Sequence, residues 1–407
     1  MQIYLVGGAV RDALLGLPVT ERDWVVVGGT PEVLLAQGYK PVGQFFPVFL
    51  HPQTKEEYAL ARTERKVGPG YHGFNFNADP QVTLEEDLLR RDLTINAIAQ
   101  TPAGELIDPY GGQRDLQAKI LRHVSPAFSE DPVRVLRIAR FAARFAPLGF
   151  SVAPETKALM RDMALSNELA HLTPERVWNE TARVLAGSEP VVFFRLLRET
   201  QGLKVLFPEL EALYGVPQNP LHHPEIDTGD HVERVLIQAS LLTDDPVVRF
   251  AALLHDLGKA LTSADYLPNH PDHEKNGRAL ILGCCERLRV PREYQDLAVI
   301  VGRYHGELYA AKTAEAILSL FEKCDIFRRP QRLKQILLAC EADFRGRPGY
   351  ETKPFVHTER FEQAFAAANQ IVVSQVIATL PEKTGEAIKK AVSEARLVAI
   401  REALMIS

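Results

Sequence analysis

The sequence predicts a small α/β domain at the N-terminus followed by an all-α remainder, and three observations carry that division. Residues 1 to about 110 alternate short β-like runs with helix-like segments and Gly/Pro turns. From Pro132 onward the apolar spacing becomes helical, in PVRVLRIARFAARFA, PETKALMRDMAL and PERVWNETARVLAG, each set off by Pro or Gly. At 407 residues the chain is too long for one ordinary core, so two or three domains are expected. With 46% apolar and 24% charged residues, and no apolar run of roughly eighteen, it reads as globular, with no membrane partner.

Taken in order, strands are expected at Ile3 to Val6, Trp24 to Val27, Pro47 to Leu50 and Tyr58 to Arg62. The opening MQIYLVGGAV has neither the basic region nor the cleavage site of a signal peptide, so it reads as a core strand. GGAVRD at Gly7 to Asp12 follows that strand and opens a helix. Adjacent glycines let backbone N–H groups approach a triphosphate, the helix start favours anions, and Arg11 adds positive charge. Glu21 and Asp23, two apart at the next strand, are expected to share one face and hold divalent cations. A tight turn beside a solvated loop is the competing reading of this segment.

RRDLTINAIA at Arg90 to Ala99 supplies arginines for phosphate and an aspartate for a ribose hydroxyl, or else a helix with a charged first turn. In EDPVRVLRIARFAAR, Asp131, Arg134, Arg137 and Arg140 fall at helical spacing, so one face is expected to carry a carboxylate and three guanidiniums. Asp accepts from an exocyclic amine and Arg donates to ring acceptors, so such a pair could read a base without a template. An amphipathic helix with an Arg-rich solvated side is the plainer alternative. The formal charge of −5 lowers the expectation of a nucleic-acid partner, yet arginines are the only charged residues between Pro132 and Pro154.

The second half carries His231, LLHDLGKA with His255 and Asp256, then His270, His273 and His305. Imidazole and carboxylate donors from successive helices suit a divalent transition metal, which can activate water against a phosphoester. Asp325 and Asp343 are candidate terminal ligands. Cys284, Cys285, Cys324 and Cys340 lack zinc or redox spacing, so free thiols in a reducing cytoplasm are expected.

GGAVRD with ERD, RRDLTINA, DPYGG at Asp108 to Gly112, EDPVR and HLTPERVWNE, in that order, resemble the class II tRNA nucleotidyltransferases, which include CCA-adding enzymes and poly(A) polymerases. HDLGK resembles the HD phosphohydrolase signature, and its place behind the transferase resembles the bacterial members of that family that carry an HD domain. The resemblance implies a polymerase-β-like nucleotidyltransferase head with a mixed sheet over 1–125, a helical neck with the nucleotide template over 126–220, an all-α HD domain over 221–330 and a helical tail over 331–407. It implies that Gly8 and Arg11 contact ATP or CTP, that Glu21 and Asp23 bind Mg2+, and that Arg91, Asp131, Arg134, Arg137 and Arg140 complete the nucleotide site. The family's first metal carboxylate is usually Asp, and Glu21 has a longer reach. Glu64 is a candidate third carboxylate. His231, His255, Asp256 and His305 are the expected ligands of Ni2+ or another divalent ion. The implied partners are tRNA, CTP and ATP, acting on a monomer or homodimer. The implied activities are CCA addition and repair with release of pyrophosphate, and phosphatase, 2'-nucleotidase and 2',3'-cyclic phosphodiesterase turnover. A poly(A) polymerase, or an HD hydrolase with a non-catalytic RNA-binding head, are the alternatives.

Overall fold

The computed structural model describes residues 1–42, 48–66, 74–77 and 79–406. The chain divides into two compact units, Met1–Leu206 and Phe207–Ser407.

The first unit is built on a seven-stranded mixed sheet. Its strands are β1 (Gln2–Val6), β2 (Asp23–Val27), β3 (Lys40–Val42), β4 (Val48–Leu50), β5 (Glu57–Leu60), β8 (Ala99–Gln100) and β9 (Leu106–Ile107), in the order β3-β4-β5-β2-β1-β8-β9. The β2–β5 pair is parallel and the other pairs are antiparallel. Two short ribbons stand apart: β6 (Thr63–Lys66) with β7 (Phe74–Asn77), and β10 (Ile120–Leu121) with β11 (Ser151–Val152). The last is a strand in a region whose sequence pattern reads as wholly helical. Successive side chains of a strand face opposite ways, and both faces of β2 are covered. Val25 joins Val6, Leu88 and Ala99 on one side, and Val26 joins Leu34, Phe49 and Leu60 on the other.

Helices α1 (Gly8–Leu14), α2 (Pro31–Ala36), α3 (Leu84–Leu89) and α4 (Gly112–Ala118) connect the strands. α3 starts on a capping box between Thr83 and Glu86. The neck that follows is α5 (Val133–Phe145), α6 (Pro154–Leu165), α7 (Pro174–Leu185), α8 (Pro190–Glu199) and α9 (Gly202–Leu206), with Pro at the first turn of α6, α7 and α8.

The second unit is helical throughout: α10 (Pro208–Glu211), α11 (Thr228–Leu242), α12 (Pro246–Leu254), α13 (His273–Arg287), α14 (Arg292–Ala310), α15 (Ala314–Lys323), α16 (Gln331–Arg345), α17 (His357–Asn369), α18 (Val373–Ala378) and α19 (Gly385–Ile406). Asp227 caps α11 and Asp245 caps α12. α12 is almost entirely apolar and packs on α11, α14 and α16, which buries its C-terminal end, where His255 and Asp256 stand. Among the described residues no helix is long and apolar enough to cross a membrane. All four cysteines are free and buried.

Candidate active sites

In the first unit, a cleft of about 550 Å3 gathers Gly8, Arg11, Glu21, Asp23, Arg91, Asp131, Arg134, Arg137 and Arg140, the residues expected to hold nucleotide and metal. Gly7, at the turn from β1 into α1, has φ +70, and a Cβ would stand 2.9 Å from an Arg91 nitrogen, so only glycine fits. Asp23 opens β2, whereas Glu21 lies just before the strand, not on it; the shared-strand expectation is corrected to a strand end plus its approach. Partial desolvation raises the Asp23 carboxyl, Arg91 opposes the shift and Glu21 adds to it. Two neighbouring carboxylates under mutual strain suit a hard cation that completes its shell with phosphate oxygens and water, as Mg2+ does.

Arg11 is only 3% exposed, donates to Asp12 and Asn96, and lies over the rings of Phe141 and Phe145. It therefore braces the cleft floor more than it projects into the opening. RRDLTINA is not a charged helix. Arg90 caps α3, a single 3-10 turn (Thr94–Asn96) follows, and β8 begins at Ala99. Burial would raise Asp92, but Arg137 at 2.7 Å and Asn96 at 2.9 Å hold it well below the usual carboxylate range.

The single-face expectation for Asp131 is also corrected. Asp131 precedes α5 in extended backbone, where its Oδ1 accepts from the Val133 amide, because Pro132 interrupts the helix start. Its two oxygens accept from Arg176 of α7 at 3.0 and 2.8 Å. Arg134 is buried and donates to the Ala127 carbonyl, Arg137 pairs with Asp92, and Arg140 pairs with Glu180.

In the second unit, six donor side chains converge from five places in the chain. His231 Nε2 lies 3.0 Å from Asp343 Oδ1 and 3.8 Å from Asp256 Oδ2, and His255 Nε2 lies 3.1 Å from Asp256 Oδ2. The other oxygen, Asp256 Oδ1, lies 3.3 Å from His273 Nε2 and 3.7 Å from His305 Nε2. The expected quartet of His231, His255, Asp256 and His305 falls into overlapping donor groups: His231, His255 and Asp256; His255, His305 and Asp343; and Asp256, His273 and His305. Asp343 is brought in and Asp325 is not, since it is tied to Arg328 on the surface.

All of these groups are buried apart from the partly exposed His273. The His255 Nε2 and both Asp256 oxygens have no well-formed hydrogen bond among the described residues. Burial alone would raise Asp256, yet His255 and Lys259 hold it well below its ordinary range; burial would lower His255, yet Asp256 and Asp343 push it up to about 10. Imidazole and carboxylate donors gathered on one another, with Lys259 Nζ 2.7 Å from Asp256 Oδ2, are a donor set that suits a divalent cation. Gly258 lets α13 start against this turn, because a Cβ there would overlap the His273 carbonyl.

Residues 3–122 match the poly A polymerase head domain family, 149–214 the probable RNA and SrmB-binding site of polymerase A, and 228–340 the HD domain. Proteins named multifunctional CCA protein are 57% identical over 406 residues in Nitrosococcus oceani (99% of each chain) and 55% identical over 404 residues in Tolumonas auensis (99% of this chain, 98% of that one). The chain belongs to the multifunctional CCA protein family. Its fold is similar to solved structures at lower identity: a CCA-adding enzyme in apo form at TM-score 0.66 (20% identity, 100% of this chain, 91% of that one), and a Thermotoga maritima CCA-adding enzyme complexed with tRNA at 0.63 (21%, 100% and 91%).

Three features of this family member escape its sequence motifs. Glu57 stands in parallel register with Asp23 and lines a second concavity with Glu21 and Asp23. The side chain of Glu64, the sequence's candidate for a third carboxylate, lies outside the described residues. Arg176 was visible only inside HLTPERVWNE, with nothing local to link it to Asp131, and His273 sat undistinguished in a histidine-rich loop. Strand register and helix packing supply those links.

Proposed function

We propose that this protein adds and repairs the 3'-terminal CCA of tRNA, using CTP and ATP and releasing pyrophosphate, and that its second unit is a metal-dependent phosphohydrolase. The observation that carries the transferase reading is the single cleft in which Glu21 and Asp23 face Asp131 and Arg134. Mg2+ held by Glu21 and Asp23 would polarise the α-phosphate and neutralise the pyrophosphate that leaves. Arg91 and the neck arginines bind the triphosphate, and Arg137 holds Asp92 as an anion able to accept from a ribose hydroxyl. Arg176 and the Val133 amide take three of the Asp131 lone pairs and leave one, on Oδ2, for an exocyclic amine, while Arg134 addresses the same base edge. The primer 3'-hydroxyl attacks the α-phosphorus, and Glu57, in register with Asp23, is a candidate to take its proton.

For the second unit, His231, His255, Asp256 and Asp343 would hold a divalent ion, nickel or another, with His305 and His273 beside it. The bound metal supplies an activated water for phosphatase, 2'-nucleotidase or 2',3'-cyclic phosphodiesterase chemistry. The free thiols support a cytoplasmic setting.

Purified protein given tRNA lacking its CCA end, magnesium, CTP and ATP is expected to lengthen it by three nucleotides. Incorporation of long A runs alone would instead identify a poly(A) polymerase. Asp23→Ala should abolish transfer and spare phosphatase turnover, and His255→Ala the reverse. Loss of both activities in either variant would overturn the two-site reading.

A further inference from the structure

We infer that Glu225 is a positioning residue for the metal centre of the second unit: it fixes the His231 ring so that Nε2 is presented to the cation. The inference rests on the metal reading above. Glu225 Oε1 approaches His231 Nδ1 to 2.7 Å, an ion-pair contact whose angle is not that of a well-formed hydrogen bond, and both side chains are fully buried. The opposite ring nitrogen, Nε2, faces Asp343 and Asp256.

The other histidines of the centre show why His231 needs such a partner. His255, His273 and His305 each direct Nδ1 at a backbone carbonyl, of Ala252, His270 and Val301, at 2.7 to 3.1 Å. His231 sits in the first turn of α11 and turns Nδ1 to a side-chain carboxylate instead. A carboxylate adds a full negative charge, which makes the imidazole a stronger donor to a metal. His223 Nδ1 meets the same Oε1 at 3.0 Å and helps to hold it.

The backbone is bent to deliver Glu225. Ile226 has φ +63, a left-handed conformation that a β-branched residue avoids, and the turn is clamped by the Gln218 amide on the Ile226 carbonyl at 2.6 Å. Asp343 has an equivalent support, since the Tyr309 hydroxyl donates to its Oδ2 at 2.7 Å and leaves Oδ1 toward the histidines.

The test is nickel titration of the full chain by calorimetry, with zinc-loaded protein for nitrogen NMR of the histidine rings. Glu225→Ala is expected to weaken nickel binding by about 10–100-fold, and Tyr309→Phe by about tenfold. Glu225→Gln keeps an acceptor for Nδ1 and should fall closer to wild type than to Glu225→Ala. In the wild type, His231 should carry its proton on Nδ1, which remains readable if Glu225→Ala fails to fold. A folded Glu225→Ala with wild-type nickel affinity, or a His231 protonated on Nε2, overturns the inference alone. Glu225→Gln as weak as Glu225→Ala would make Glu225 a ligand and overturn it too. A wild type that binds no nickel overturns the metal reading with it.

Discussion

Replacing Arg176 with Met tests whether the neck presents Asp131 as a base-reading group. The guanidinium meets both Asp131 oxygens, at 3.0 and 2.8 Å, and the two side chains are 25% and 19% exposed. Methionine keeps much of the stem packing and removes the fork. A half-buried bidentate pair lies between the 0–1 kcal/mol of exposed ion pairs and the 3–5 kcal/mol lost when one partner of a buried pair is removed, so about 2 kcal/mol of orientation is at stake. If that energy holds Asp131 for the exocyclic amine, kcat/KM should fall about 30-fold for CTP and ATP alike. Single-nucleotide incorporation would be measured on tRNA lacking CCA for CTP and on tRNA lacking only the terminal A for ATP. In a double-mutant cycle, Arg176→Met should add little to Asp131→Ala, because the orienter has nothing left to orient. Additive losses, or a kcat/KM for Arg176→Met within about twofold of wild type, would refute the reasoning.

Asp23→Asn should cut transfer by on the order of 10^3-fold while raising the melting temperature of metal-free protein at neutral pH. Desolvation raises the Asp23 carboxyl in the folded state, so its stabilising contribution is present below the ordinary carboxylate value and is lost as pH rises through the folded one; a Tm equal to or below wild type would contradict this. Denaturant titration of metal-free protein across pH should show the second unit most stable near pH 6.5. His255, raised to about 10, loses its contribution from there upward, and His305, lowered to about 4, loses its own as pH falls, each at on the order of 1 kcal/mol per pH unit. A flat profile would refute the assignment of buried charge. Gly258→Ala forces a methyl against the His273 carbonyl and should destabilise the second unit by about 1–3 kcal/mol and weaken nickel binding, as read by thermal melts and calorimetry.

The sequence by itself determined the chemistry-bearing residues whose meaning is local. GGAVRD and ERD are legible because a glycine turn between strand and helix is set by backbone sterics over a few residues. HDLGK is legible because an apolar run ending in His-Asp is a local signal that those two donors follow a buried helix. The switch from β-like to helical pattern is equally local, since periodicity follows from backbone geometry.

Tertiary structure alone decided the pairings. Asp131 left the helix face because Pro132 interrupts the start of α5, and its guanidinium partner came from α7, 45 residues on. Glu57 joined Asp23 through parallel strand register, and Asp343 reached His231 across 112 residues while Asp325 stayed on the surface. Such choices depend on which buried faces meet, and spacing along the chain carries no information about that.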